Sequence, residues 1–395
     1  MSKKAFTKAS MVGASVALST LLTGCFESYI PNPFNKPVLG DQPAHYEREG
    51  MSADYVEAWE DGLRTDMTPG HFEWWYFDAE LTDGTKIVVV FHTKSMFAVA
   101  EEASPRFTID ITPPGQDTIK VGGLFEPEEA SFSEEGFNLT MGPNFGYGDL
   151  DEAVIHAEFA PAGIVVDFTF NRIVPSWRPA NGHWYFNKNE DTFFAWLPSM
   201  PKAEVTGSLT VQGQTVEVSG SGYHDHNWGN AGMDTMFSNW WWSRGDVDGK
   251  VVLASELRTR PAHASQKMPI MMVADETNGL LADAAREGAT FSLTESNVIA
   301  HPDPASPETI AHTLNFAYTY DEDSVDLTLN LDKVLNSTDL LEISDKSEQE
   351  KNLARALGID PWYSRIFSNA TLNYTINGEE FEGEGFSVME KMDFE

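Results

Sequence analysis

After residue 71 the chain alternates apolar and polar positions in short runs broken by Gly, Pro, Asn and Asp, a period of two that belongs to half-buried strands rather than helices. Residues 73–81 and 85–92 are rich in aromatic and β-branched side chains, with Asp83-Gly84 between them as a primed hairpin turn. Similar runs recur at 106–111, 137–140, 153–159 and 164–170. Residues 206–211, Gln212-Gly213 and 214–219 predict another hairpin, whose second strand runs on into the stretch from Gly220 to Gly229. The pattern continues at 268–274, 289–293, 312–320 and 324–331, and closes with a hairpin over 369–376, Asn377-Gly378 and 379–388. Helices are predicted only at 53–63 and at 347–357, with Gly358 as the stop. This order argues against a parallel nucleotide-binding sheet and predicts an all-β sandwich or barrel.

A weak repeat divides the chain. Trp74-Trp75, Asp83-Gly84 and the apolar strand 87–91 are echoed by Trp241-Trp242, Asp248-Gly249 and 251–254, with 167 residues separating Trp74 from Trp241. The reading is two related β domains, residues 66–229 and 230–395.

The start of the chain reads as an address. Lys3, Lys4 and Lys8 precede an apolar stretch too short to stay in a bilayer as a helix, then Leu22-Thr23-Gly24-Cys25. This looks like the lipobox of bacterial lipoproteins, so residues 1–24 are expected to be a signal peptide and Cys25 the acylated first residue of the mature protein. Cys25 is the only cysteine, which excludes an intramolecular disulfide and any cysteine metal site or nucleophile. Residues 25–65, with Pro31, Pro33, Pro37 and Pro43 early on, are expected to be an extended tether with one short helix. Loss of three lysines with the signal leaves 23 basic against 61 acidic residues, a change in net charge from −35 to −38. Such a surface repels nucleic acid and anionic lipid. By likeness to lipoproteins with no aspartate after the cysteine, the outer membrane is the expected location.

The chemistry concentrates in Gly220-Ser-Gly-Tyr223-His224-Asp225-His226-Asn227-Trp228-Gly229 and the following Trp240-Trp241-Trp242. Alternation puts Tyr223, Asp225 and Asn227 on one strand face and His224, His226 and Trp228 on the other. Familiar nucleophile elbows, phosphate loops, dinucleotide fingerprints and zinc-protease motifs are missing. His224 and His226 would need a third ligand such as His71, His92 or His183 to hold a metal. No complete ligand set is visible, so neither metal nor cofactor is expected. A carboxyl among tryptophans is desolvated and holds its proton near neutral pH, which makes Asp225 a candidate general acid; the alternative is a buried carboxylate pinning loop amides. Glu73 shares a face with Trp75 and Phe77 and is expected to reach a cavity. Arg244 stands ready to neutralise a carboxylate of the first motif.

His71-Phe-Glu-Trp-Trp-Tyr-Phe-Asp78, Tyr223-His-Asp-His-Asn-Trp-Gly229 and the Trp240 run together resemble the carotenoid 1,2-hydratase (hydroxyneurosporene synthase) and AttH-like superfamily, over most of the chain from His71 onward. The resemblance implies two lipocalin-like antiparallel β-barrel domains with few short helices. It implies a Tyr-x-Asp pair, here Tyr223 and Asp225, that protonates a terminal isoprenoid double bond before water captures the cation. A His-x-Trp pair of the hydratases falls on Phe194-Ala195-Trp196, so Trp196 matches and the histidine does not. The expected protein encloses a hydrophobic small molecule, with Glu73, Trp75, His224, His226, Asn227, Trp240 and Trp242 around it. It is expected either to hydrate or rearrange an unsaturated substrate or to carry such a molecule without chemistry.

Overall fold

A computed structural model describes residues 29–395 apart from 97, 343, 345, 346, 357 and 358. The signal segment, Cys25 and the Gly358 stop lie outside those residues. The described chain forms two antiparallel sheets, one of 13 strands and one of nine. Each sheet curls into a half-barrel around its own apolar core. In the first, Phe77, Phe91, Ile109, Phe137 and Phe168 meet inside the curl. In the second, Trp241, Val252, Phe316 and Leu329 do so. A third cluster, which includes Trp196, Tyr223, Leu253, Met272 and Met392, joins the two sheets through their other faces.

The repeat is real in topology. In each sheet the opening strand, Phe72–Leu81 or Phe237–Val247, lies between its hairpin partner, Lys86–His92 or Lys250–Thr259, and the closing strand, Gln214–Gly229 or Glu379–Asp393. Its register differs by one residue from the sequence reading. Trp75 and Trp241 both face a core, at 2% and 1% exposure, while Trp74, Trp240 and Trp242 pack in the cluster between sheets. A one-residue slip in a strand exchanges the two faces, so the equivalent residues are Trp75 and Trp241, not Trp74 and Trp241.

The predicted strands appear, several of them extended. Phe193–Val211 continues upstream of the expected 206–211 run through register shifts between Leu197 and Met200 and between Met200 and Ala203. Pro198 and Pro201 sit in those two shifts, where a residue with no N–H leaves the ladder.

The tether expectation fails within the described residues. Val38–Leu39 pairs with His183–Tyr185, and Pro43–Glu49 forms a helix, with Pro43 in its first turn and Gly50 ending it at φ 70°. The helix expected over 53–63 is one 3-10 turn, Ala58–Asp61. Its Glu60 and Asp61 turn inward to the buried Arg178 and His224 instead of continuing an exposed spiral. The helix Glu348–Ala356 forms where expected.

Candidate active site

The closing strand of the first sheet carries two chemistries on two faces. Pairing with the opening strand sets Tyr223 opposite Asp78, Asp225 opposite Tyr76 and Asn227 opposite Trp74. This face meets the second sheet, and not the interior of the first half-barrel.

Asp225 is 6% exposed and accepts three hydrogen bonds. Trp196 Nε1 and the Tyr223 hydroxyl each donate to Oδ2 at 2.8 Å, and Asn227 Nδ2 donates to Oδ1 at 2.8 Å. Burial pushes the Asp225 carboxyl up to about 7, overcoming the lowering influence of the Trp196 and Tyr223 hydrogen bonds and of His224 behind it. Burial also raises the Tyr223 phenol well above its ordinary value, so it donates. Trp242 meets the Tyr223 ring edge-on at 5.5 Å and Tyr76 does so at 6.1 Å.

The opposite face is a structural lock. His224 Nδ1 donates to the Tyr76 carbonyl at 2.9 Å while Nε2 faces Asp61 Oδ2 at 2.9 Å. Burial lowers the His224 imidazole, but the Asp61 charge and hydrogen bond outweigh it and hold the ring above its ordinary value. His226 lies 3.2 Å from the Glu60 carbonyl and 2.7 Å from Glu73 Oε1, stacked on Trp75 at 4.7 Å. Glu73 also accepts from the backbone N–H groups of Arg64 and Thr65, and Trp75 donates to the Asp61 carbonyl at 2.8 Å.

Four expected ligand contacts are therefore corrected. Glu73, Trp75, His224 and His226 are fully or nearly fully buried, and their polar atoms bind the 60–65 loop, the Tyr76 carbonyl or one another. They hold the strand and line neither the cleft beside Tyr76 nor the hollow near Arg286. Asn227, Trp240 and Trp242 do stand on the Asp225 side. Among the described residues no three His, Cys, Asp or Glu side chains converge as metal ligands, and both ring nitrogens of His224 and His226 already face oxygen partners.

Residues outside the expected set complete the site. Arg244 Nε donates to Asp78 Oδ2 at 2.9 Å, its Nη2 bonds Oδ1, and Arg365 Nη2 reaches Oδ2 at 3.1 Å. Arg365 Nη1 donates to the Tyr76 hydroxyl at 2.8 Å. The neutralisation of a first-motif carboxylate by Arg244 thus occurs, on Asp78 and across the two sheets. Beside this cluster a cleft of about 180 Å³ is bounded by Tyr76, Lys86, Val88, Val90, Asp110, Tyr363 and Arg365; of the residues around Asp225 only Tyr76 lines it, and Asp225 itself does not. A larger hollow of about 410 Å³, near Asp41, Tyr46 and Arg286, touches none of the Asp225 group. Tyr76 was legible by alternation from Trp74; nothing local to Tyr363 or Arg365 marks them.

Residues 173–287 match the family model of the carotenoid hydratase CrtC. The chain is 29% identical over 217 residues to the hydroxyneurosporene dehydrogenase of Chlorobaculum tepidum, covering 45% of this chain and 54% of that protein. It is 24% identical over 196 residues to the quinolone epoxide rearrangement protein asqO of Emericella nidulans, covering 44% and 50%. The chain thus spans about half the length of the curated relatives it matches. Among solved structures, CghA with Sch210972 superposes at a TM-score of 0.58 and 11% identity, covering 92% of this chain and 99% of CghA. An AttH-type protein of Nitrosomonas europaea gives 0.54 at 14% identity, covering 89% and 99%. Kievitone hydratase of Nectria haematococca gives 0.53 at 13%, covering 92% and 98%. At these identities the solved structures speak for the fold alone.

Proposed function

We propose, from the premise that the chain belongs to the CrtC and AttH-like lipocalin-like family, that it hydrates or rearranges a hydrophobic unsaturated substrate, with Asp225 as the acid. The observation that carries this reading is the Asp225 carboxyl itself, raised to about 7 by burial yet met by three positioned donors. A general acid works best with a value near the working pH. Its proton goes to the =CH– carbon of a terminal trisubstituted double bond, leaving a tertiary cation on the dimethyl carbon. The carboxylate left behind keeps its hydrogen bonds from Trp196 and Tyr223, so the charge it gains is already solvated. The faces of Tyr76, Tyr223, Trp240 and Trp242 suit the cation. Water captures it in hydration; in rearrangement a neighbouring bond migrates or a proton is lost.

The cleft's volume of about 180 Å³ is below the roughly 300–1,000 Å³ of pockets that enclose whole ligands. In this reading only the end of the substrate enters, and it reaches the acid past Tyr76, since Tyr76 lines the cleft and Asp225 does not. A lipid extract of the purified protein, analysed by mass spectrometry, identifies the natural molecule. Incubation with squalene, whose ends are trisubstituted alkenes, tests the reaction. Asp225→Asn that binds squalene but makes no tertiary alcohol supports the acid; unchanged turnover per folded molecule refutes it and leaves a carrier.

The reading includes an address. The Leu22-Thr23-Gly24-Cys25 sequence supports a lipid-anchored protein of the bacterial envelope, in the outer membrane. Among the described residues no helix is long and apolar enough to cross a membrane.

A further inference from the structure

The two sheets repeat each other position by position, and the repeat leads to a second carboxyl. In the first sheet Asp225 stands opposite Tyr76 on the opening strand, and Trp196 stands opposite Asn227, two residues beyond Asp225. In the second, Glu390 stands opposite Trp242, and Tyr363 stands opposite Met392, two residues beyond Glu390. Aligning Trp75 with Trp241 aligns Tyr76 with Trp242. Glu390 then takes the place of Asp225, and Tyr363 the place of Trp196. The polar pairing repeats as well: the Trp196 indole donates to Asp225, and the Tyr363 phenol hydrogen-bonds Glu390.

The environments of the two carboxyls differ in charge. Asp225 takes its three hydrogen bonds from uncharged donors, which leaves desolvation to dominate. Glu390 has Arg365 Nη1 at 3.9 Å from Oε1, and that oxygen is buried and accepts no hydrogen bond among the described residues. Burial raises the Glu390 carboxyl as well, with Arg365 and the Tyr363 hydrogen bond opposing the rise; the guanidinium beside it, which Asp225 lacks, is the feature that favours a carboxylate able to accept a proton. The groups are also linked. Arg365 donates to Tyr76, Tyr76 lies edge-on to Tyr223, and Tyr223 donates to Asp225. Tyr363 and Arg365 line the cleft, so Glu390 stands behind its second wall.

We infer that Glu390 is the base that completes the reaction started by Asp225, taking a proton from the water that attacks the cation. This rests on the acid reading of Asp225. The Asp225 O–H bond breaks as a C–H bond forms at the =CH– carbon of the terminal trisubstituted alkene, and the alkene π bond breaks to leave the charge on the dimethyl carbon. The water oxygen then forms a C–O bond to the cationic carbon, and one of its O–H bonds breaks as Glu390 takes the proton. The product is a tertiary alcohol; Asp225 ends ionised and Glu390 protonated, and proton exchange with solvent restores both.

The full mature chain incubated with squalene in D2O separates the two roles. Tertiary alcohol reports both steps. Deuterium at the terminal olefinic =CH– positions of recovered squalene reports only protonation and its reversal at Asp225. Glu390→Gln is expected to lower alcohol formation by about a hundredfold to ten-thousandfold while deuterium exchange stays within a few fold, and Glu390→Asp is expected to recover part of the loss. Asp225→Asn is expected to lose both signals. If Glu390→Gln leaves alcohol formation unchanged while Asp225→Asn abolishes it, the Glu390 assignment is wrong and the acid stands. If Glu390→Gln lowers both signals together with the melting temperature, Glu390 is structural and the assignment again fails. If Asp225→Asn keeps both signals, or the unaltered chain gives neither, the acid reading falls and this inference with it.

Discussion

Asp225→Asn separates an elevated carboxyl from a merely hydrogen-bonded one before any substrate is known. In an unfolded chain an aspartate titrates near 3.9, whereas burial takes Asp225 up to about 7 in the folded protein. Ionising it in the fold is therefore harder than in the unfolded chain by about 4 kcal/mol. Below about pH 4 both states hold the proton. Between about 4 and 7 only the folded state does, so unfolding free energy falls as pH rises, by about 1.4 kcal/mol per pH unit. Above 7 the loss is complete. An asparagine cannot ionise and escapes this loss. Its amide oxygen can still accept from Trp196 and Tyr223, and the Asn227 amide can turn its oxygen toward the new N–H2. The substitution itself should then cost about 1 kcal/mol, the scale of one imperfect hydrogen bond. The expected outcome is a crossing: the variant slightly less stable than the parent at pH 4 and more stable at pH 8. Urea denaturation followed by tryptophan fluorescence at several pH values reads this directly, because groups common to both proteins cancel in the difference. Parallel stability curves from pH 4 to 8 would mean that Asp225 ionises normally, and the reasoning from burial to acid would be refuted.

Three further outcomes are expected. Trp196→Phe removes one donor to Asp225 Oδ2 and keeps an aromatic ring; since that bond favours the ionised form, the midpoint of the stability difference should move to higher pH, and an unmoved midpoint would show that the indole does not bond the carboxylate. Arg178→Ala strands Glu60, which is fully buried and receives Arg178 Nε at 2.6 Å, so stability should fall by roughly 3–5 kcal/mol in urea denaturation; a loss below about 1 kcal/mol would mean the pair is not closed in solution. Cys25→Ser should move the protein from the membrane pellet to the soluble fraction, and a variant that stays in the pellet removes the lipid anchor.

The strands and the repeat were legible because alternation and hairpin turns are local, and Asp83-Gly84 and Asn377-Gly378 do mark hairpins between long strands. Alternation also sorted Tyr223, Asp225 and Asn227 from His224 and His226. It could not say which set met a closed core. That depended on Glu60 and Asp61, more than 160 residues earlier in the chain, which draw the histidines inward. The same blindness to distant partners explains Glu73: its chemistry looked available, but the Arg64 and Thr65 amides claim it. Arg365 and Glu390 carry no local motif; they matter because a second sheet lays them against the first.

That placement has a consequence for change over time. The candidate acid belongs to one copy of a repeated unit, while Arg365 and Trp242, which pack on its neighbours Tyr76 and Tyr223, belong to the other. On the proposed reading the proton donor and one wall of the cleft, Leu335, Asn336, Tyr363 and Arg365, are inherited on separate stretches of chain. The second copy can vary its wall, admitting a different molecule, without disturbing the residues that prepare the proton.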